Sequence, residues 1–536
     1  MSSELEQIIV SDSRLLERKV MVPKLRGASN ILYKQWSPTN VSRSDITFSC
    51  PTPTEHSEID RQVQLLCPVR LSFSMEDVPA GTYLLQPNLC NLRSYPVQKG
   101  MSQINLTLNN HTMKISMGSI LSAIEHFNTT TGLKNLEYST SATYGTCQSQ
   151  AFSNLPQGSR SGLAVYTDSI SGIAPQSFPF TVVSQTTAVG PLPGTATAVI
   201  DFVSIESIFL SPLYWGKSED NSHAFAGVRT MDVSFNFQPN AGFRMFAIDK
   251  NDASFPLGSG AISVTEQYSF VAADAFSYPE KEPKLLVQYL TPQQVLSRNH
   301  KSIHPYFHID DYSSLHNTAI SALASDVVSS PEISLTRMPT KIFVFARKPD
   351  STFATDPFNP DSFAAITNLN IYWNTRSCLS TCHQSQLYNI SVANGLQMDY
   401  TSWSGMGINR SIAAPSFGLA GDTSQYGGTG TIICIDPLDL GITDDMSQNP
   451  EHQLAIQVNA TVKNISGESF TPQLYVLALF DGVLTIVDGV VSSFLGLTDT
   501  KIKDPIAGKD ETVSRRNVGY MGNHMISLKN LFRKKK

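Results

Sequence analysis

One order of elements is written twice along this chain of 536 residues. "SPLYWG" at 211–216 and "DPLDLG" at 436–441 repeat Pro, Leu and Gly at one spacing, 225 residues apart, each behind an apolar run ("IESIFL", "GTIICI"). Further upstream, Asn105 in "INLTLNN" and Asn368 in "TNLNIYWN" stand 263 residues apart, each in a strand that leads to a helical stretch. "VRLSF" (69–73) precedes the first of these strands as "KIFVFAR" (341–347) precedes the second. The offset shrinks from 263 to 225, so the first copy is the longer one between helix and Pro-Leu motif. The surplus falls in "TSATYGTCQSQAFSNLPQGSRSG", whose Gly, Ser and polar content is that of a long surface loop. A chain built this way is confined to two homologous modules of unequal length.

The modules are β. In "VRTMDVSFNF", Met231, Val233, Phe235 and Phe237 alternate with Asp232, Ser234 and Asn236, the period of a half-buried strand. "HQLAIQVNATV" repeats it with Leu454, Ile456, Val458 and Val462. "KIFVFARK", "LLVQYL" (285–290) and "QLYVLALF" (473–480) read as strands buried on both faces or nearly so. Two helices interrupt. In 116–127, Ile120, Ala123, Ile124 and Phe127 make one apolar stripe; in 384–395, Leu387, Ile390 and Ala393 make a shorter one that ends at Gly395, a C-cap residue. Many short strands with helices confined to loops suit two tandem jelly-roll β-sandwiches, an all-β fold. The expected division is an arm at 1–28, a first sandwich at 29–280 with a loop insertion at about 128–200, a second at 281–500, and a basic arm at 501–536.

Charged residues make up 16% of the chain, which suits a surface largely covered by neighbouring subunits, since interface cores are depleted of charge. The start carries two early acids and no apolar core, so it is not read as a signal peptide, and the chain reads as intracellular at synthesis. The longest apolar stretch, 474–497, is broken at Asp481-Gly482 and Asp488-Gly489; it reads as strands joined at Asp-Gly turns rather than as a membrane span. Seven cysteines in no framework spacing are read as reduced thiols, and Cys378 and Cys382 beside His383 lack a second pair to complete a zinc site.

With these stretches in view, the sequence resembles the double jelly-roll major capsid proteins of Maverick/Polinton-like DNA viruses, the virophage and adenovirus lineage. "IFLSPLYWG…FAGVRTMDVSFNF" is similar to the late part of the first jelly roll, and "LLVQYLTP…MPTKIFVFARKP" to the opening of the second. "LYNISVANGLQMDYTSWSG" is similar to the helix and loop of the second, and "LYVLALFDGVLTIVDGVVSSFLGLT" to its closing strands. The resemblance implies a structural, non-enzymatic subunit of a virion without cofactor. It implies a homotrimer forming a pseudo-hexameric capsomer, tiled with neighbouring capsomers, penton and minor capsid proteins into an icosahedral shell around double-stranded DNA. Loops such as 128–200 would stand as exposed towers.

Two rivals come from different classes. A jelly-roll non-haem iron enzyme would draw on "NHKSIHPYFHIDDYSS", where His304, His308 and Asp310 are metal candidates and His308-x-Asp310 has the His-x-Asp form. Pro305 disfavours the continuous helix such spacing would need. A glycan-binding attachment or spike protein is the other. Nucleotide, serine-hydrolase and zinc-protease motifs are absent. Finally, residues 512–536 carry Arg515, Arg516, Lys529, Arg533, Lys534, Lys535 and Lys536 and no acids, with Met525, Leu528, Leu531 and Phe532 spaced for one helical face. This reads as an inner-face arm for nucleic acid, an internal membrane or a minor capsid protein, against the plainer reading of a solubilising end.

Overall fold

The architecture is that of a computed structural model; the residues it describes run from 28 to 495, leaving out 79–89, 129–179, 216–223, 249–263, 293–300, 350–362, 405–429, 443–453 and some shorter stretches.

The first half supplies β1 (Ala28–Trp36), β2 (Asn40–Val41), β3 (Asp45–Pro51), β4 (Glu58–Ile59), β5 (Gln64–Val78) and β6 (Cys90–Leu92). After helix α1 (Pro96–Lys99) come β7 (Met101–Leu108), β8 (His111–Ser116) and helix α2 (Met117–Asn128). Then follow β9 (Phe180–Thr186), β10 (Gly194–Ser207), β11 (Thr230–Phe237), helix α3 (Ala241–Met245), β12 (Phe246–Ile248), β13 (Val264–Ser269) and β14 (Lys284–Pro292). One sheet has the order β1-β14-β5-β10-β9, with β13 beside β5 and β4 beside β14; the facing sheet has the order β2-β3-β11-β7-β8. The core lies between them: Leu65, Val69, Leu71 and Phe73 from one side, Ile46, Phe48, Val233 and Phe235 from the other, all at 1% exposure or less.

The second half repeats this with β15 (Lys301–Leu315), β16 (Ser325–Ser329), β17 (Ile333–Leu335), β18 (Lys341–Arg347), β19 (Ala365–Trp373) and β20 (Arg376–Leu379). Helices α4 (Gln384–Ala393) and α5 (Tyr400–Ser404) precede β21 (Ile432–Ile435), and β22 (Leu454–Lys463), β23 (Gln473–Val487) and β24 (Val490–Leu495) close the fold. Its sheets run β15-β23-β18-β21 and β16-β22-β19-β20. Matching β1 to β15, β14 to β23, β5 to β18 and β10 to β21 superposes the first pair of sheet orders. Matching β11 to β22, β7 to β19 and β8 to β20 superposes the second. The duplication legible in the sequence is a duplication of topology.

The details correct several expectations. "LLVQYL" is not the opening of the second sandwich: β14 pairs with β1 (Tyr33 opposite Gln288) and with β5 (Leu285 opposite Leu65), so it closes the first. It also alternates, burying Leu285, Val287 and Tyr289 while their neighbours stay partly open. β18 and β23, by contrast, are buried on both faces. The span taken as one loop at 128–200 holds β9 and half of β10. Of the two Asp-Gly pairs, only Asp488-Gly489 turns, with φ of 51° and 86°; β23 runs straight through Asp481-Gly482. Gly482 is needed there because a Cβ would collide with the Phe494 carbonyl on β24. The two Pro-Leu motifs occupy equivalent places with different backbones: Pro437–Leu440 is a 3-10 turn closed by Gly441 at φ 70°, whereas the Ser211–Pro212 peptide is cis.

Candidate functional site

Two features of the fold bear on function: the polarity of the sandwiches and the junction between them. In both halves the antiparallel registers place the strand ends beside 79–89 and 249–263, and beside 350–362 and 405–429, at one end. The opposite end carries the start of β1, the tight turns at Asn109 and Asn374, and the Asp488-Gly489 turn.

At the junction, α2 of the first half lies across the outward face of the second half's β15-β23-β18-β21 sheet. Phe127 meets Phe343 edge-on, ring centroids 5.1 Å apart. The buried Arg347 donates to the Gly118 carbonyl (3.0 Å) and lies 4.8 Å over the ring of Tyr475, which stacks on Phe345. Ser119 donates to Asp311 at 2.6 Å. Beside this contact opens a cleft of about 450 Å³ lined by Ser116, Ser119, Gln238, Asp311 and Gln473. This explains why β18 is apolar on both faces: one side packs its own core and the other receives α2. It also explains why Met117 to Glu125 and Phe127 of α2 are all buried, although the sequence shows only one stripe.

At the turn end, Asn109 ties the halves together. Its left-handed backbone (φ 52°) suits Asn. Its side-chain carbonyl accepts from the Arg229 and Thr230 amides, and its side-chain amide donates to the Gly489 carbonyl at 2.6 Å. His111 pairs with Ser493 nearby at 3.0 Å. Further contacts are aromatic: Phe209 with Phe307, and Phe225 with His304.

Buried charge supports the elements on either side. Lys99 of α1 and Glu125 of α2 form an ion pair at 2.8 Å with at most 3% side-chain exposure. Glu206 accepts from the Val97 and Gln98 amides and from Ser204, and burial still pushes its carboxyl above the usual range, against the pull of those hydrogen bonds. Glu266 sits under Gly242 with no well-formed hydrogen bond to its oxygens. Burial raises it to about 7, opposed by the Phe243 and Gly242 amides and by Arg43.

The predicted metal candidates are not brought together. All three lie on strand β15, where His308 meets Asp310 at 2.9 Å while His304 is fully buried against Phe225 and 3.3 Å from Ser302. Among the described residues no three His, Cys, Asp or Glu side chains are grouped to hold a metal. His383 instead caps α4, its ring accepting from the Ser385 amide. Arg515, Arg516, Lys529, Arg533, Lys534, Lys535 and Lys536 lie outside the described residues.

Comparison with known proteins follows the same outline. Residues 3–290 match the family profile of the Sputnik virophage major capsid protein 1st domain, and residues 310–482 that of the major capsid protein V20 C-terminal domain. Capsid protein V20 of Sputnik virophage is 24% identical over 506 residues, covering 92% of this chain and 78% of V20. A chain in the cryo-EM structure of the Sputnik virophage superposes with a TM-score of 0.71 at 22% identity, over 93% of this chain and 94% of that one. The mavirus major capsid protein crystal structure gives 0.64 at 19% identity, over 89% and 92%.

Proposed function

The chain belongs to the family of the Sputnik virophage major capsid protein, and from that premise we propose that three copies close into a six-lobed tile. The chain is a structural component of the virion, located in its capsid. Two similar sandwiches per chain give a closed three-fold ring six nearly equivalent lobes, a shape that tiles a curved shell in contact with neighbouring capsomers. The observation that carries this reading is the repeat of sheet order in both halves, joined by a helix-on-sheet junction.

In this reading the module division falls between Pro292 and Lys301, and the long-loop end faces outward. The basic arm at 501–536 reaches the genome, an internal membrane or a minor capsid protein, and the arm at 1–28 reaches a neighbouring subunit. No residue is assigned a catalytic role, and His308 with Asp310 serves β15 rather than a metal. Size-exclusion chromatography with light scattering tests the tile: three times the 58.7 kDa chain mass is expected, with a six-lobed outline in negative stain. A monomer, or one bound iron per chain that His308→Ala removes, overturns it.

A further inference from the structure

We propose that the polar cleft between the two sandwiches binds a neutral glycan, with Asp311, Gln238 and Gln473 as the groups that recognise its hydroxyls. The inference concerns a single chain and stands apart from the tile reading.

The cleft follows from the way the halves meet. Ser102 opens β7 and Ser116 closes β8 in the first half, while Leu315 closes β15 and Gln473 opens β23 in the second. These strand ends converge beside the first turn of α2, at the end of the sandwiches opposite the Asn109 and Asp488 turns. The opening of about 450 Å³ falls within the range of small-molecule sites, about 300–1,000 Å³. Asp311, Ser313 and Leu315 on its wall are exposed, so it is reached from solvent.

Its hydrogen-bonding capacity is only half used. Oδ2 of Asp311 accepts from Ser119 at 2.6 Å, with Ser116 at 3.5 Å, while Oδ1 takes no hydrogen bond among the described residues. Gln238 donates through Nε2 to the Met101 carbonyl, which leaves its Oε1 to accept. Gln473 accepts through Oε1 from the Tyr475 hydroxyl, which leaves its Nε2 protons to donate. A carboxylate oxygen, an amide oxygen and an amide NH2 around one opening answer the needs of neighbouring sugar hydroxyls, each of which both donates and accepts. Leu315 and Pro349 add a small apolar wall for the C–H face of a ring.

The lining also sets what is refused. Among the described residues no Lys, Arg or His lines the cleft, and Arg347 beneath it is engaged by the Gly118 carbonyl and the Tyr475 ring. A phosphate, sulfate or acidic sugar would therefore face Asp311 with no counter-charge. One carboxylate offers too few oxygens for a dedicated divalent-cation site. Two apolar residues are too few for a lipid or an apolar peptide. An uncharged polyhydroxyl ligand remains. A second opening, of about 350 Å³, shares Asp311 and Ser313 with the first and adds Ser314, Glu332 and Ser334. The polar surface thus continues past one sugar ring, which suits a glycan better than a free small polyol.

The test is saturation-transfer NMR on the full chain. The probes are the methyl glycosides of glucose, galactose, mannose and N-acetylglucosamine, with maltose, cellobiose and lactose; glucose 6-phosphate and N-acetylneuraminic acid serve as charged controls. At least one neutral probe should bind, and neither control should. Asp311→Asn should weaken that binding at least about ten-fold, the usual effect of losing a hydrogen bond to a charged group. Because Asp311 also bonds Ser119, Ser313→Tyr repeats the test from an exposed position, filling the cleft without touching the junction. It should abolish binding while far-UV circular dichroism is unchanged. No binding of any neutral probe, stronger binding of a charged control, or binding that survives either variant overturns the assignment and leaves the tile reading untouched.

Discussion

The Lys99–Glu125 pair fixes how α2 is held, and through α2 the junction, so its removal has a calculable consequence. At 2.8 Å and an effective dielectric constant near 20, the attraction is about 6 kcal/mol. Desolvating two fully buried ions costs several kcal/mol each, so the pair adds little net stability. Losing one partner leaves the other charge buried and unpaired, at about 3–5 kcal/mol. Glu125→Leu should therefore cost about 3–5 kcal/mol in urea-induced unfolding followed by circular dichroism, whereas Lys99→Met combined with Glu125→Leu should return to within about 1 kcal/mol of wild type. The double variant's recovery is the diagnostic result. If Glu125→Leu costs under about 1 kcal/mol, the pair is reached by water and the burial argument fails. If the double variant is as unstable as the single, the loss comes from packing and not from charge.

Three further outcomes follow. Phe127→Ala removes the ring between α2 and Phe343 and should destabilise the chain by about 3–5 kcal/mol, with limited proteolysis separating the halves earlier than in wild type. Glu266 is raised from 4.5 to about 7, so its contribution is fully present below pH 4.5 and is lost as pH climbs through 7. That gap corresponds to about 3 kcal/mol. Glu266→Gln should remove this part of the fall in urea midpoint between pH 5 and pH 8, and an unaltered slope would refute it. Deleting residues 512–536 removes seven Lys and Arg side chains. Retention on immobilised duplex DNA at 50 mM salt should drop, and an unchanged elution position would argue against a nucleic-acid role for the arm.

The fold was legible wherever a strand's environment is two-sided and local. Met231 to Phe237 and Leu454 to Val462 alternate because each has a core on one face only, and period two records that directly. The helix at Met117–Asn128 was legible from one stripe, but its second buried side, Gly118, Ser119 and Ser122, carries no apolar signal because it meets a sheet through small residues and backbone. Strand β14 was assigned to the wrong half because its partner β1 lies some 250 residues away, a pairing that local pattern does not encode. Asp481-Gly482 imitated a turn because glycine answers two demands, a positive φ at Gly489 and close backbone approach at Gly482. β8 and β20 escaped notice since each is a short return strand after an Asn turn. The His304, His308 and Asp310 series looked like ligands only while the segment's conformation was open; along strand β15 only His308 and Asp310 meet.

The most direct measurement is a cryo-EM reconstruction of the purified oligomer at a resolution that shows helices. Six sandwiches around a three-fold axis are expected, two from each chain. A ring with any other number of sandwiches would contradict it.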